Sequence, residues 1–261
     1  MVKQDINIRA ICPNAVTMTA LAFGVSSLNM ALWGHWRLAV LFILLSATFD
    51  FFDGKVARML GVSSRFGAEL DSLSDFVSFG VAPGFLMYQW TMNADIKIEV
   101  LKNEIARSEA IGIYWAFALF LAMCCASRLA RFNAMLDEKQ PSYWTHFFMG
   151  VPAPSGAGLA IFPIILWLAS GEQIAFFRSP VFVGFFLVFS GIMMASKIPT
   201  LSLKHLHIPK KYGSAIGVIG LLFMAGLFAN PWLTLSLLGT GYILSIPVCI
   251  YYFLKFKKES I

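Results

Sequence analysis

The chain has 261 residues, of which 58% are hydrophobic and 13% are charged, and its formal net charge is +6. Soluble domains are about half apolar and about a quarter charged, so this composition excludes an ordinary soluble domain and predicts a protein embedded in lipid. The positive charge does not indicate a nucleic-acid partner, because the Lys and Arg residues lie in loops between apolar runs, where anionic lipid headgroups would meet them.

Eight apolar segments follow one another along the chain, with lengths close to what a bilayer-spanning helix needs. They cover residues 15–34, 38–60, 70–92, 110–132, 150–170, 180–196, 214–229 and 231–253. Helix is the expected structure, because hydrocarbon cannot satisfy the open edge of a sheet. The pattern predicts an all-α integral membrane protein with about eight transmembrane helices, in a single domain over residues 1–261.

The basic residues of the loops predict the orientation of these segments. With the N-terminus in the cytoplasm, 15 of the 20 Lys and Arg residues lie inside and 5 lie outside. The outside set is Arg37, Lys97, Lys102, Arg107 and Arg178. The positive-inside rule therefore predicts a multi-pass protein of the inner (cytoplasmic) membrane, with both termini in the cytoplasm.

Carboxylates interrupt the apolar pattern where the second segment ends and the third begins. Asp50 and Asp53 are three residues apart, and Asp71 and Asp75 are four apart, so each pair shares one face of a helix. A short loop joins the two helices, so the two faces can meet. Four converging carboxylates repel one another unless hard divalent cations lie between them, and Mg²⁺ or Mn²⁺ prefers such oxygen ligands.

Small residues and an arginine accompany the carboxylates. Gly54, Ala57 and Gly67 are small where larger side chains would fill a cavity, and Arg58 offers a planar fork for a phosphate oxygen. Clustered metal ions beside a phosphate-binding group are the arrangement used for phosphoryl transfer. The sequence therefore predicts a membrane enzyme that acts on a phosphorylated substrate.

The pattern Asp50-x2-Asp53-Gly54-x2-Ala57-Arg58-x8-Gly67-x3-Asp71-x3-Asp75 matches the signature of the CDP-alcohol phosphotransferases at every specified position. This resemblance implies a CDP-linked donor bound near the cytoplasmic surface and two divalent ions, Mg²⁺ or Mn²⁺. It also implies a homodimer, with a six-helix catalytic core over about residues 10–196 and two additional helices over about 213–254.

The same resemblance implies a role for each residue of the signature. Asp50, Asp53 and Asp71 would chiefly bind metal, and Asp75 would be the general base, with metal binding as a further role. Contacts with the cytidine diphosphate are implied for Gly54, Ala57, Arg58 and Gly67. The run Pro13-Asn14-x2-Thr17 resembles the first-helix element of the family, which implies that Asn14 and Thr17 touch the nucleotide. A helix start with a polar cap is the alternative interpretation.

Four longer runs resemble the phosphatidylserine synthase branch of the family: residues 74–83, 128–133, 150–158 and 198–211. This implies transfer of a phosphatidyl group from CDP-diacylglycerol to L-serine, giving phosphatidylserine and CMP in phospholipid biosynthesis. A serine carboxylate suits an arginine fork at the cytoplasmic end of a helix, which favours Arg128 or Arg131 as its anchor. Snorkelling of these arginines to the membrane interface is the alternative.

Two other functions are compatible with parts of the pattern. The same reaction could use glycerol 3-phosphate, inositol phosphate or choline as the acceptor. Buried carboxylates also mark ion pathways in ion-coupled membrane transporters. A transporter would not need the small residues Gly54 and Ala57 beside the phosphate-binding Arg58. It would also move its substrate without releasing CMP.

Overall fold

The computed structural model describes residues 8–62, 64–93, 104–135, 147–201 and 213–259. The α-helices are α1 (Ile8–Leu32), α2 (Trp36–Leu60), α3 (Arg65–Asp75), α4 (Ala82–Met92), α5 (Glu104–Ala134), α6 (Ala153–Ala160), α7 (Phe162–Ala169), α8 (Pro180–Ala195), α9 (Gly213–Ala229) and α10 (Pro231–Glu259). A π-helical turn, Phe76–Val81, joins α3 to α4, and a 3₁₀ turn, Ala175–Arg178, precedes α8. Two three-residue strands, β1 (Phe147–Met149) and β2 (Pro199–Leu201), form an antiparallel pair that the sequence did not predict.

Each predicted apolar segment coincides with a helix or with consecutive helices. Within the described ranges, three stretches are long and apolar enough to cross a membrane: Cys12–Leu32, Ile111–Ala134 and Pro231–Lys255. Large apolar side chains are also open to the surroundings, with Phe228 85% exposed and Val181 84% exposed. So much exposed apolar surface indicates a helical integral membrane protein. The count of eight spans stays a prediction. Of the run 198–211, whose sequence resembles one branch of the family, residues 202–211 lie outside the described residues.

Two predicted segments are interrupted beside a proline. In the third, Pro83 is the second residue of α4, and its ring would clash with the carbonyl four residues earlier in a regular helix. The wider π turn, in which the N–H of Ala82 donates to the carbonyl of Val77, directly precedes it. In the fifth, Pro163 is the second residue of α7, and α6 ends at Ala160. Hydropathy alone does not show either break.

The chain divides into two compact units, Met1–Arg131 and Phe132–Ile261. In the first unit, α1 packs along α2 and also contacts α3, the π turn and α4. Buried hydroxyl groups join α1 to α2: Ser27 donates to the carbonyl of Ala39 (2.9 Å) and Ser46 donates to the carbonyl of Ala20 (2.8 Å). Such bonds hold membrane helices together where the hydrophobic effect between them is absent. The single-domain organisation stays a prediction.

Glycines set the closest helix contacts of the first unit. A Cβ at Gly84 would lie 3.0 Å from the carbonyl oxygen of Ala118, and one at Gly80 would lie 3.0 Å from the Cβ of Cys125. The small-xxx-small spacing of Gly80 and Gly84 predicts such an approach, and the contact with α5 confirms it. On α1, a Cβ at Gly24 would lie 2.9 Å from the Cα of Ser78 in the π turn.

Replacing Gly24 with Ala should destabilise the first unit. The new methyl group meets the Cα and Cβ of Ser78, and these atoms cannot move aside as the far end of a flexible side chain can. Overpacking of this kind costs about 1–3 kcal/mol. The measurement is the apparent melting temperature in detergent. Gly112→Ala is the control, because a Cβ there meets nothing within 4 Å, and a helical Gly→Ala change should be neutral or stabilising by up to about 1 kcal/mol. Equal melting temperatures for the two variants would contradict this packing.

The second unit packs its short helices closely. Helix α6 lies against α8, where Ser190 donates a hydrogen bond of 2.6 Å to the carbonyl of Gly156. Helix α7 packs on α10, and α10 also contacts β2 and α9. The buried hydroxyl of Thr200 on β2 donates to the carbonyl of Gly150 at 2.8 Å, which ties the start of α6 to the strand pair. None of these residues belongs to the carboxylate cluster.

Candidate functional site

A tight reversal between α2 and α3 brings the two aspartate pairs together. Helix α2 ends at Leu60, and Gly61 takes the left-handed conformation (φ 61°) that favours glycine. The N–H of Val62 then donates to the carbonyl of Ala57 at 3.1 Å, which closes the end of the helix. Ser64 caps α3 by accepting a hydrogen bond from the N–H of Gly67 at 3.0 Å. The chain therefore turns back at once, with the aspartate faces of both helices on the same side.

Three carboxylates meet at one point of this hairpin. Asp50, Asp53 and Asp71 each offer an oxygen, and these oxygens all lie within 4.8 Å of one another. At that separation, two ionised carboxylates repel by about 3 kcal/mol at an effective dielectric constant of about 20. Oδ1 of Asp71 is buried and has no hydrogen-bond partner among the described residues. Crowded carboxylates with an unused buried oxygen fit a divalent cation, whose ligands are oxygen atoms of this kind.

Asp75 lies beside this group, one helical turn beyond Asp71. Its side chain is within hydrogen-bond reach of Asp50, and its buried Oδ1 has no partner in the described part of the chain. Arg128 of α5 is close enough to interact electrostatically with both Asp50 and Asp75. The Nε of Arg128 is buried and has no hydrogen-bond partner among the described residues. A carboxylate with a free oxygen therefore lies next to an arginine with a free donor.

Helix α1 supplies polar support to the cluster. The hydroxyl of Thr17 donates to Oδ2 of Asp53 at 2.7 Å, and both residues are buried, with 4% and 6% exposure. The buried hydroxyl of Ser74, next to Asp75, donates to the carbonyl of Thr17 at 3.3 Å. Thr17 therefore contacts both helices that carry the aspartates.

A cleft of about 580 Å³ opens over the cluster. It is large enough for a nucleotide, since small-molecule sites usually measure about 300–1,000 Å³. Twelve residues line it: Pro13, Asn14, Thr17, Asp53, Gly54, Ala57, Gly61, Val62, Ser64, Gly67, Ala68 and Asp71. All of them belong to α1, α2, α3 and the turn between α2 and α3.

The structure places the predicted site residues in two groups. Seven of them line the cleft: Asn14, Thr17, Asp53, Gly54, Ala57, Gly67 and Asp71. Asp50 and Asp75 are not among the lining residues, but Asp50 belongs to the carboxylate cluster and Asp75 lies beside it. Arg58 does not line the cleft either, although its guanidinium comes within 3.9 Å of where a Cβ of Gly54 would be. Arg131 lies one helical turn beyond Arg128 near the end of α5 and does not line the cleft.

Gly67 keeps part of the cleft open. A Cβ at this position would lie 3.1 Å from both Oδ1 of Asn14 and Oγ of Ser64. Contacts this short would push both polar groups aside. A side chain at this position would therefore disturb the polar groups of Asn14 and Ser64, which is a structural reason for the small residue predicted at Gly67.

Five lining residues were not predicted as site residues: Pro13, Gly61, Val62, Ser64 and Ala68. The sequence holds a signal for two of them, because glycine after a helix and serine before the next helix are the residues that end and start helices. That signal places Gly61 and Ser64 in the turn between the aspartate pairs. Nothing local in the sequence indicates that Val62 and Ala68 face the cleft.

Comparison with known proteins identifies the family. The family model for CDP-alcohol phosphatidyltransferases matches residues 10–250. The chain belongs to this family. The match includes the aspartate hairpin, the residues that line the cleft, two of the long apolar stretches and most of the third. The family assignment and the described site therefore concern the same part of the chain.

Relatives of the chain in several organisms share one enzyme name. A CDP-diacylglycerol–serine O-phosphatidyltransferase of Mycobacterium leprae is 31% identical over 250 residues, which are 95% of this chain and 77% of the relative. The enzyme of that name from Helicobacter pylori is 27% identical over 92% of this chain and 90% of its own length. The one from Methanocaldococcus jannaschii is 40% identical over 46% of each chain. Most of this chain is therefore similar to enzymes of one reaction type.

Proposed function

We propose that the protein transfers the phosphatidyl group of CDP-diacylglycerol to L-serine, giving phosphatidylserine and CMP. The observation that carries this proposal is the carboxylate cluster of Asp50, Asp53 and Asp71 at the base of a nucleotide-sized cleft. The family assignment supports the reaction type. The names of the relatives that match more than nine-tenths of this chain support serine as the acceptor.

The donor would bind with its cytidine diphosphate in the cleft. Small residues in the lining leave room for it, and Asn14 and Ser64 add polar groups. Arg58 adjoins Gly54 and has the planar fork that suits a phosphate oxygen. We assign nucleotide contacts to Asn14, Gly54, Ala57, Arg58 and Gly67, whereas the contact that the resemblance implies for Thr17 has an alternative in its hydrogen bond to Asp53.

Asp50, Asp53 and Asp71 would hold divalent ions, Mg²⁺ or Mn²⁺, and Asp75 is a further ligand candidate. Bound there, the ions would neutralise the diphosphate and the charge that develops on the CMP leaving group. The residues present fit such ions, because their oxygens lie within 4.8 Å of one another and the buried Oδ1 of Asp71 has no protein partner among the described residues.

Asp75 would act as the general base. Its carboxylate takes the proton of the serine hydroxyl, whose oxygen attacks the phosphorus nearer the lipid. The new bond joins the serine oxygen to that phosphorus, and the bond from phosphorus to the CMP oxygen breaks. No covalent enzyme intermediate is needed. The buried Oδ1 of Asp75, which has no partner among the described residues, supports this role, since a base needs an oxygen that can accept a proton.

Arg128 or Arg131 would hold the serine carboxylate, and the surroundings of Arg128 support the former. Its Nε is buried without a hydrogen-bond partner among the described residues, and the guanidinium lies near Asp75. A carboxylate held there would place a serine hydroxyl beside the proposed base. The homodimer implied by the resemblance stays a prediction.

Arg128→Lys should raise the KM for serine by about 10- to 100-fold, because an ammonium cannot replace a forked pair of charged hydrogen bonds. The KM for CDP-diacylglycerol should change much less. Steady-state kinetics with each substrate varied in turn gives both values. Arg131→Lys is the matched comparison on the same helix. An unchanged KM for serine in the Arg128 variant would remove this residue from the acceptor site.

The active site would face the cytoplasm, as the distribution of basic residues predicts. We expect a cysteine at Gln173 to be labelled in intact cells by a membrane-impermeant maleimide. A cysteine at Glu69 should be labelled only after lysis. Both positions are exposed, and the background would lack the exposed Cys12. Labelling of Glu69→Cys in intact cells would reverse the orientation.

The reaction itself is tested by following CMP release from CDP-diacylglycerol by the purified protein with Mn²⁺ or Mg²⁺. L-Serine, glycerol 3-phosphate, inositol phosphate and choline are added one at a time. Release that depends on serine supports the proposal. Release with another alcohol retains the reaction type and rejects serine as the acceptor. No release with any of them would favour the alternative function, an ion-coupled membrane transporter.

A further inference from the structure

The hydroxyl of Thr17 makes a short hydrogen bond to the carboxylate cluster. It lies 2.7 Å from Oδ2 of Asp53 and 3.2 Å from the carbonyl of Pro13 in its own helix. A hydroxyl has one proton to donate. A carboxylate is the stronger acceptor, and the shorter distance agrees with donation to Asp53.

This bond limits the orientation of a side chain that would otherwise be loosely fixed. The terminal torsion of aspartate is broad, so packing alone does not fix the plane of its carboxylate. Asp53 is 6% exposed and lies on α2, whereas Thr17 is 4% exposed and lies on α1. The carbonyl of Thr17 also accepts a hydrogen bond from Ser74 on α3. Thr17 is therefore hydrogen-bonded to α3 through its carbonyl and to Asp53 on α2 through its hydroxyl.

We propose that Thr17 is a positioning residue, which fixes the carboxylate of Asp53 in the orientation that binds a divalent ion. Residues that hydrogen-bond to metal-binding carboxylates commonly have this effect, and their loss lowers metal affinity by about 10- to 100-fold. The inference rests on the metal-dependent function proposed above. It differs from a nucleotide contact, because Thr17 acts here through Asp53.

The test compares variants that keep or remove the hydroxyl without changing the shape of the side chain. Thr17→Val is nearly isosteric and removes the donor, whereas Thr17→Ser keeps it. Thr19→Val is the matched control on α1, because the hydroxyl of Thr19 donates only within its own helix, to Ala15 at 2.8 Å. Purified full-length protein is titrated with Mn²⁺ at saturating CDP, with bound ion measured by electron paramagnetic resonance. A second titration varies CDP at saturating Mn²⁺.

We expect Thr17→Val to bind Mn²⁺ about 10- to 100-fold more weakly, with its affinity for CDP at saturating Mn²⁺ nearly unchanged. Thr17→Ser and Thr19→Val should bind Mn²⁺ like the wild type. Unchanged Mn²⁺ affinity in Thr17→Val, with weaker CDP binding, would overturn the inference in favour of a nucleotide contact. Equal losses in Thr17→Val and Thr17→Ser would also overturn it, because the hydroxyl would then be irrelevant. A wild-type protein that binds no Mn²⁺ would instead reject the proposed metal site itself.

Discussion

Replacing Asp71 with Asn should reduce CMP release by about a hundredfold or more while leaving the fold intact. Asn has the same shape but lacks the charge that a divalent ion requires from its ligand. In the absence of metal the variant should be at least as stable as the wild type, because Asp71 is repelled by Asp50 and Asp53 within 4.8 Å. CMP release at saturating substrates and the melting temperature in detergent without metal test these two expectations.

Glu69→Gln is the control for this prediction. It makes the same chemical change on the same helix, two residues earlier, at a position that is exposed and outside the cleft lining. Its activity should equal that of the wild type. If Asp71→Asn keeps near-normal turnover, Asp71 does not bind metal. If it unfolds while Glu69→Gln does not, Asp71 is needed for folding and the repulsion argument is wrong.

The sequence predicts the local part of the site well, because that part depends on short spacings. Residues three or four apart share a helix face whatever the rest of the chain does, so Asp50 with Asp53 and Asp71 with Asp75 follow from the sequence alone. The loop between the two helices is short, and it begins with a glycine and ends with a serine. Its tight reversal is therefore also encoded locally, by the caps at Gly61 and Ser64.

The contacts between distant parts of the chain do not follow from spacing. Thr17 and Asp53 are 36 residues apart, and their hydrogen bond depends on how far α1 is shifted along α2. That shift is set by packing and by hydrogen bonds between the two helices, such as those from Ser27 to Ala39 and from Ser46 to Ala20. The sequence presents Thr17 as a polar residue near a helix start, and the family resemblance implies a nucleotide contact for it. Neither indicates its contact with an aspartate.

The same distinction applies to the fold. Hydropathy locates each helical region, because it records which residues can face lipid. It does not record a missing N–H, so the π turn before Pro83 and the break before Pro163 lie inside segments that look continuous. The strands β1 and β2 are too short to show a periodic pattern, and their pairing joins residues about fifty positions apart, such as Phe147 and Leu201.

Asp75→Asn should lower kcat by about 10²- to 10⁴-fold, the usual contribution of a positioned general base. The buried Oδ1 of Asp75 has no partner among the described residues, so its loss as a proton acceptor leaves the serine hydroxyl without one. The KM for CDP-diacylglycerol should stay close to that of the wild type, because Asp75 does not line the described cleft. Kinetics at saturating Mn²⁺ measures both values.

Binding of Mn²⁺ then separates the two roles proposed for Asp75. If the residue is chiefly the base, Asp75→Asn should bind Mn²⁺ nearly as well as the wild type, whereas Asp71→Asn should bind it far more weakly. Equal loss of Mn²⁺ in both variants would make Asp75 a metal ligand and leave the base unassigned. Normal kcat in Asp75→Asn would exclude it from proton transfer. Asp75 and the three carboxylates of the cluster have similar chemistry, and this comparison distinguishes those that hold the ion from the one that moves the proton.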